Sequence, residues 1–217
     1  WLNYYSKAWQ VNSSLALRQP WSAIKPFTYT LAFKNLKLKP EDTVLDLPVQ
    51  YETDKWYAYT PKNYSLDYKW EITIAEALSQ SINIPAVRIT EQLWVKNILD
   101  FLRKVWITSL NKDEDTYGLA ITLGDWEVSL YELTQAYTIF ANDGNLCKIN
   151  YIDWEKQECK SIIEKQYTDM TNFILTNRYF KLKWFPVNST LDFPDKEVFL
   201  KTWTSRNFRD NWTIWYT

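Results

Sequence analysis

Glycine is nearly missing from this chain. Three glycines, Gly118, Gly124 and Gly144, serve 217 residues that also hold 13 tryptophans. At the usual share of about 7%, a chain of this length holds roughly 15 glycines. Three plus about a dozen of the tryptophans would restore that total. Tight turns and close backbone approaches call for the residue without a side chain. Here one such turn is written with the largest side chain instead. In "RQPWSAIKPF", Trp21 stands immediately before Ser22, and Ser22 lies three residues before Lys25.

The length fits one large domain or two small ones, and a 46% hydrophobic content can fill a core. A net charge of −1 gives no global pull toward nucleic acid or an anionic membrane, and no nucleic-acid partner is expected. No run approaches the roughly 18 apolar residues of a membrane span, and no segment reads as a signal peptide. The chain starts and stops in mid-pattern, at "WLNYYSKAWQ" and "WTIWYT", so it reads as a piece of something longer. Histidine is absent. His-based triads, His metal ligands and the usual neutral-pH proton shuttle are therefore excluded, and acid–base chemistry falls to Lys, Ser, Tyr or carboxylates. Cys147 and Cys159 flank an expected hairpin. They are either a cross-strand disulfide or two unpaired core thiols.

Residues 22–35 read as a helix whose early Pro26 is tolerated, because the first N–H groups of a helix lack intrahelical partners. Residues 36–70 are rich in turns. "TIAEALSQS" and "IPAVRITEQL" read as two helices separated at Asn83 to Pro85, the first opened by a Thr73–Glu76 capping box. "VKNILDFLRKV" is amphipathic, with Ile98, Leu99, Phe101, Leu102 and Val105 on or near one face. "SLYELTQAYTIFAND" is a further helix ended by Gly144, residues 146–163 a hairpin, and "DMTNFILTNRYF" helical. "EVFLKTWTS" and "NWTIWYT" read as two late strands joined by "RNFRD". The mixture is α+β.

Three short motifs carry chemistry. On a helix Ser22 and Lys25 share a face, so a lysine amine with a lowered pKa can take the serine proton. Ser81-Ile82-Asn83 offers a second hydroxyl for proton relay and an amide to orient a substrate amide. Lys201-Thr202-Trp203-Thr204, on an expected strand, can hold a carboxylate and lend a backbone N–H to an oxyanion. Each alone has an ordinary reading: helix caps, a solvated lysine, an edge strand guarded by lysine. Together, in this order, they match the S-x-x-K, S-D-N and K-T-G set of penicillin-binding proteins and class A β-lactamases, with S-I-N and K-T-W written here.

The surrounding text, "YTPKNYSLDYKWEITIAEALSQSINIPAVRITEQLWV" and "TLGDWEVSLYELTQAYTIFANDG" above all, resembles the transpeptidase domain of class A (bifunctional) penicillin-binding proteins. The resemblance runs over nearly all of residues 1–217 as one domain, loosely in 160–197. It implies a mainly antiparallel sheet of about five strands with helices on both faces, truncated at both ends. It implies cross-linking of peptidoglycan stem peptides through an acyl-enzyme on Ser22, with β-lactams as mimics of the substrate. Lys25 would be the base, Ser81 the proton relay supported by Lys201, Asn83 the amide binder, and Thr202 and Thr204 the carboxylate site, with no metal or organic cofactor. It also implies a membrane anchor and a glycosyltransferase domain before residue 1, at the outer face of the cytoplasmic membrane. A serine β-lactamase shares the motifs, but its E-x-x-L-N string is absent. A catalytically dead module of the same fold is the third reading.

One departure from the family is systematic. Trp21, Trp70, Trp94, Trp106, Trp126, Trp203 and Trp215 stand where relatives carry glycine, whereas Trp212 matches a family tryptophan and Trp154 and Trp184 stay unassigned. One mechanism yields this pattern: UGA codons read as glycine in the cell and written here as tryptophan. If the tryptophans are literal, an indole at Trp203 fills the groove where a peptide must lie.

Overall fold

The computed structural model describes residues 12–52, 58–150, 157–182, 189–193, 196–204 and 211–217. At its centre lies helix α1 (Lys25–Asn35), buried from Lys25 through Phe33. Its sequence, KPFTYTLAFKN, has apolar side chains all round, as an enclosed helix must. Its threonines find local partners: Thr30 Oγ1 donates to the Pro26 carbonyl at 2.7 Å, and Thr28 Oγ1 pairs with Thr122 Oγ1 at 2.9 Å. Phe27 meets Tyr137 edge-on, with ring centroids 5.1 Å apart. A 3-10 turn, Trp21–Ile24, leads into α1, so the expected helix begins more tightly wound than a plain α-helix.

Around α1 pack α3 (Asn83–Leu93), α4 (Val95–Lys104) and α7 (Lys165–Thr176), while α2 (Ile74–Ser79) lies against α3 and α7. α5 (Glu114–Tyr117), α6 (Leu130–Ala141) and α8 (Arg178–Leu182) complete the helices. The strands pair antiparallel in twos: β1 (Leu17–Arg18) with β4 (Val128–Ser129), β2 (Thr43–Asp46) with β3 (Trp70–Thr73), β5 (Asn145–Cys147) with β6 (Cys159–Ser161), and β7 (Phe199–Thr204) with β8 (Asn211–Tyr216). The class is α+β and the pairing antiparallel; among the described residues the strands form these separate pairs and not one five-stranded sheet. Cys147 and Cys159 are joined as a disulfide across β5 and β6. The tip of that hairpin, the RNFRD turn, Trp154 and Trp184 lie outside the described residues. Among the described residues no helix is long and apolar enough to cross a membrane.

The Thr73–Glu76 capping box forms, with Thr73 Oγ1 accepting from the Glu76 N–H. A second box, Ser129–Glu132, opens α6, and its acid reaches further. Glu132 also accepts the backbone N–H groups and hydroxyls of Thr108 and Ser109. Burial pushes its pKa up, but hydrogen bonds from Ser109, Thr108 and Ser129 outweigh that and hold it at about 2. The helix break expected at Asn83 to Pro85 falls earlier, at residues 80–82. There α2 closes with the Ser81 N–H on the Leu78 carbonyl and the Ile82 N–H on the Ala77 carbonyl, both 3.0 Å. Pro85 sits in the first turn of α3, where its missing N–H costs nothing.

All three glycines have positive φ, and so do eight other described residues, four of them tryptophan. Trp21, Trp70, Trp94 and Trp106 have φ of 45°, 68°, 65° and 70°. Trp106 ends α4 in the glycine position of a Schellman motif: its N–H reaches the Arg103 carbonyl at 3.0 Å and the Ile107 N–H reaches Leu102 at 3.1 Å. Left-handed backbone costs an L-residue about 1–2 kcal/mol. The indoles recover little, since Trp70 and Trp94 are 71% and 74% exposed. Among the described residues the buried Trp21 Nε1 has no hydrogen-bond partner. Trp126 differs: its φ is not positive, its Nε1 donates to the Tyr117 carbonyl at 3.3 Å, and its ring meets Tyr117 edge-on. Replacing Trp94 or Trp106 by glycine is expected to stabilise the chain by about 1 kcal/mol each, roughly 2–4 °C in melting temperature, whereas Trp126→Gly lowers it. Thermal melts of the three single variants check this; equal losses at all three would show that the left-handed positions bear no strain.

Candidate active site

Ser22 is half-buried in the 3-10 turn, and Lys25 is the first residue of α1. In a 3-10 helix positions i and i+3 eclipse, so this geometry sets the lysine directly in line with the serine. Two outside contacts brace the turn. The Trp21 N–H donates to the Gly124 carbonyl at 3.1 Å, and Tyr137 Oη donates to the Ala23 carbonyl at 2.7 Å. Gln19 Nε2 adds a bond to the Asp125 carbonyl at 2.7 Å. Gly124, with φ of 72°, is obligatory: a Cβ there would lie 2.2 Å from the Trp21 nitrogen.

Lys25 is fully buried. Its Nζ donates to the carbonyls of Ser81 at 2.6 Å and Ile82 at 3.2 Å and to Asn83 Oδ1 at 2.7 Å. All three donors of an ammonium are thereby engaged. Among the described residues, Ser22 Oγ is not one of the partners. Lys201, on β7, is also buried; its Nζ donates to Ser81 Oγ at 3.0 Å and to the Thr202 carbonyl at 2.7 Å. Among the described residues, no carboxylate bonds either lysine. Burial and the nearby Lys201 charge hold Lys25 well below the ordinary lysine range, and burial brings Lys201 down to about 7.

Ser81 is thus gripped from two sides, its carbonyl by Lys25 and its hydroxyl by Lys201. It is also one of the left-handed residues, with φ of 57°. Strand β7 packs against the 3-10 turn of Ser22, closing the group. Thr202, half-buried, follows Lys201 on this strand, and Thr204 ends it opposite Asn211. Six of the seven residues singled out in the sequence (Ser22, Lys25, Ser81, Asn83, Lys201 and Thr202) therefore meet through direct bonds or adjacent elements, and Thr204 joins them by its place in β7.

Residues 3–178 match the penicillin binding protein transpeptidase domain family. The chain belongs to that family. Penicillin-binding protein 1A of Aquifex aeolicus is 31% identical over 93% of this chain and 28% of its own length. Penicillin-binding protein 1C of Escherichia coli is 26% identical over 98% of this chain and 26% of its own length. The crystal structure of penicillin-binding protein 1A from Haemophilus influenzae shares the fold, with a TM-score of 0.79 at 19% identity over 99% of this chain and 38% of that one. This penicillin-binding protein transpeptidase domain spans about a quarter of the length of these two curated relatives.

Four residues of this transpeptidase domain that support the site escaped the sequence reading: Gly124, Tyr137 and Asn63, which touch it, and Asp46 behind Asn63. Gly124 had a signal, being one of three glycines. The others act across 17 to 114 residues of sequence, and no local pattern marks them.

The depressed lysine fixes a pH dependence. Lys201 titrates at about 7 when folded and near the ordinary 10.5 when unfolded. Between those values the unfolded chain binds the extra proton, so this residue's contribution to stability rises with pH. Urea unfolding from pH 7 to 9 should show stability rising relative to Lys201→Met, in which the slope is flatter. A parallel pair of curves would mean that Lys201 keeps its ordinary proton.

Proposed function

We propose that this domain is a serine D,D-transpeptidase that cross-links peptidoglycan stem peptides. The observation that carries the reading is the convergence of two buried, carboxylate-free lysines on Ser81 beside the Ser22 turn. Burial lowers the pKa of both lysines, to about 7 for Lys201, so each gives up its proton more readily than an exposed lysine.

Ser22 Oγ attacks the carbonyl carbon between two D-alanines while Lys25 Nζ takes its proton. The neutral Lys25 amine has only two N–H groups, so its longest bond, to Ile82 at 3.2 Å, is the one to release, freeing the lone pair for Ser22. The developing oxyanion is met by the N–H groups of Ser22 and Thr204. The C–N bond breaks, the leaving amine takes a proton from Ser81 Oγ, and Ser81 is reprotonated through Lys201. An amine of a neighbouring stem then attacks the Ser22 ester and gives its proton through Ser81 back to Lys201, while Lys25 returns its proton to the departing Ser22 Oγ and restores the free hydroxyl. Asn83 orients substrate amide, and Thr202 and Thr204 hold the terminal carboxylate. β-Lactams acylate Ser22 because their ring mimics the D-Ala-D-Ala end. The family match favours this reading over hydrolysis of β-lactams.

In this reading the domain is one part of a longer polypeptide that also carries a membrane anchor and a glycosyltransferase domain, as the family resemblance implies; the spans of 28% and 26% of two relatives are compatible with that. The Cys147–Cys159 disulfide suits the outer face of the cytoplasmic membrane, where disulfides persist.

Activity in this reading requires glycine at the departing tryptophans. Left-handed backbone at Trp21, Trp70, Trp94 and Trp106 supports glycine there independently of the family pattern. At Trp126, Trp203 and Trp215 the family pattern alone supports it. Peptide mass spectrometry of the native protein should read glycine at all seven positions; tryptophan at most of them would favour a dead module of the same fold.

In the native full-length protein, fluorescent penicillin should label Ser22 with a long-lived bond, and Ser22→Ala should abolish the label. Lys25→Ala should slow acylation by about 10²–10⁴-fold, the usual worth of general-base help. Undiminished labelling of Ser22→Ala would mean that another serine is the nucleophile, and rapid loss of the label would point to a β-lactamase.

A further inference from the structure

Away from the three motifs lies a buried polar chain that leads into the site. Asp46, at the end of β2, is fully buried; its Oδ1 accepts from Asn63 Nδ2 at 2.7 Å and its Oδ2 from the Lys69 N–H at 2.8 Å. Asn63 is 5% exposed, and its Nδ2 also donates to the Asp67 carbonyl at 2.9 Å. Its Oδ1 accepts two backbone N–H groups, from Asn83 at 3.1 Å and Ile84 at 3.2 Å. These are the first two residues of α3, whose N-cap position holds Ile82, a side chain that cannot cap. The next link is the neighbour of Asn63: the Lys62 carbonyl accepts from Asn83 Nδ2 at 2.8 Å, which turns Asn83 Oδ1 toward Lys25 Nζ at 2.7 Å.

We propose that Asp46 and Asn63 are positioning residues of the acylation step, acting as a remote cap that sets the Ser81–Asn83 turn and through it Lys25. The polarity of the chain permits one arrangement only. A carboxylate can only accept, so it fixes which end of the Asn63 amide faces it. The opposite end is then an oxygen, which is what two orphan helix N–H groups require. A flipped amide would set donor against donors at α3 and acceptor against acceptor at Asp46. Neither residue bonds Ser22, Lys25, Ser81 or Lys201 among the described residues. Their influence passes through backbone that carries two of the three Lys25 acceptors, the Ser81 and Ile82 carbonyls, and the side chain that supplies the third.

This inference rests on the transpeptidase reading for its acylation arm but not for its structural arm. The test is a charge exchange in the full-length protein. Asn63→Asp puts a second carboxylate against Asp46, and Asp46→Asn removes the group that orients the amide. The double exchange Asn63→Asp/Asp46→Asn restores the pairing of the two side chains and the cap, with only the Asp67 carbonyl losing its donor: the carboxylate at 63 accepts from α3 and from the new amide at 46, whose oxygen accepts from Lys69. Each single variant, at a temperature where circular dichroism shows it folded, should acylate with penicillin at least about tenfold more slowly, with unchanged affinity before acylation. The double exchange should recover most of that loss. In parallel, NMR of 13Cε-labelled lysine should show the Lys25 titration moving in each single variant and returning in the double.

Folded single variants with an unmoved Lys25 titration and full acylation would overturn the proposal. Recovery of melting temperature without recovery of acylation or of the Lys25 titration would also overturn it, leaving a purely structural pair. If the unsubstituted protein takes no penicillin label, the transpeptidase reading falls, while the Lys25 titration still decides whether the pair positions the lysine.

Discussion

A buried lysine amine that no carboxylate bonds among the described residues is the constraint around which this domain is organised. Lys25 enters the core at the first turn of the central helix, where among the described residues no carboxylate pairs with it. Its acceptors are dipoles, two backbone carbonyls and an amide oxygen, all from one three-residue turn. Dipoles steady a cation less well than a carboxylate would, and the second lysine opposes it. The amine is therefore held in place without being held in its charged form. A carboxylate partner would fix the position equally well but keep the proton on.

That solution transfers the burden to the turn. Three consecutive residues must present two carbonyls and a side chain in one direction, which regular helix or strand cannot do. The left-handed Ser81 reverses the chain sharply enough, closing one helix before the next opens. A non-glycine residue in this conformation persists only where its surroundings over-determine it. Here they do, with Lys25 on its carbonyl and Lys201 on its hydroxyl. On the opposite wall the Ser22 turn leans on Gly124, where two backbones approach so closely that no side chain fits between them.

Much of this was legible in the sequence wherever the physics is local. Ser22 with Lys25 and Thr73 with Glu76 are spacing relations, and helix geometry alone brings them together. The Ser129–Glu132 box carries the same signature and could have been read the same way. The boundary at 80–82 was misread because Pro85 looks like a breaker, whereas a proline in the first turn is harmless and the true stop is a Schellman closure at a serine. Asn63 and Asp46 were illegible for another reason. Their bonds join strand end, loop and helix start, which only the folded chain brings together. The tryptophans were legible as an anomaly of composition, but the backbone angles separate them: Trp94 and Trp106 sit where only glycine is at ease, whereas Trp126 has a hydrogen bond and a ring partner of its own.

Glu132 ties the start of α6, with its strand-end cap at Ser129, to the distant loop at Thr108 and Ser109. Since that one carboxylate accepts the amides of Thr108, Ser109 and Ser129 while the Glu132 N–H donates to Ser129 Oγ, none of these segments can open while the others stay closed without leaving an acceptor unfilled. Slow exchange of these amides with solvent deuterium is therefore expected to proceed in concert, as one cooperative unit and not as separate fraying segments. The rigidity of this flank, on the helix that also sends Tyr137 to the Ser22 turn, is a collective property lodged in a single side chain.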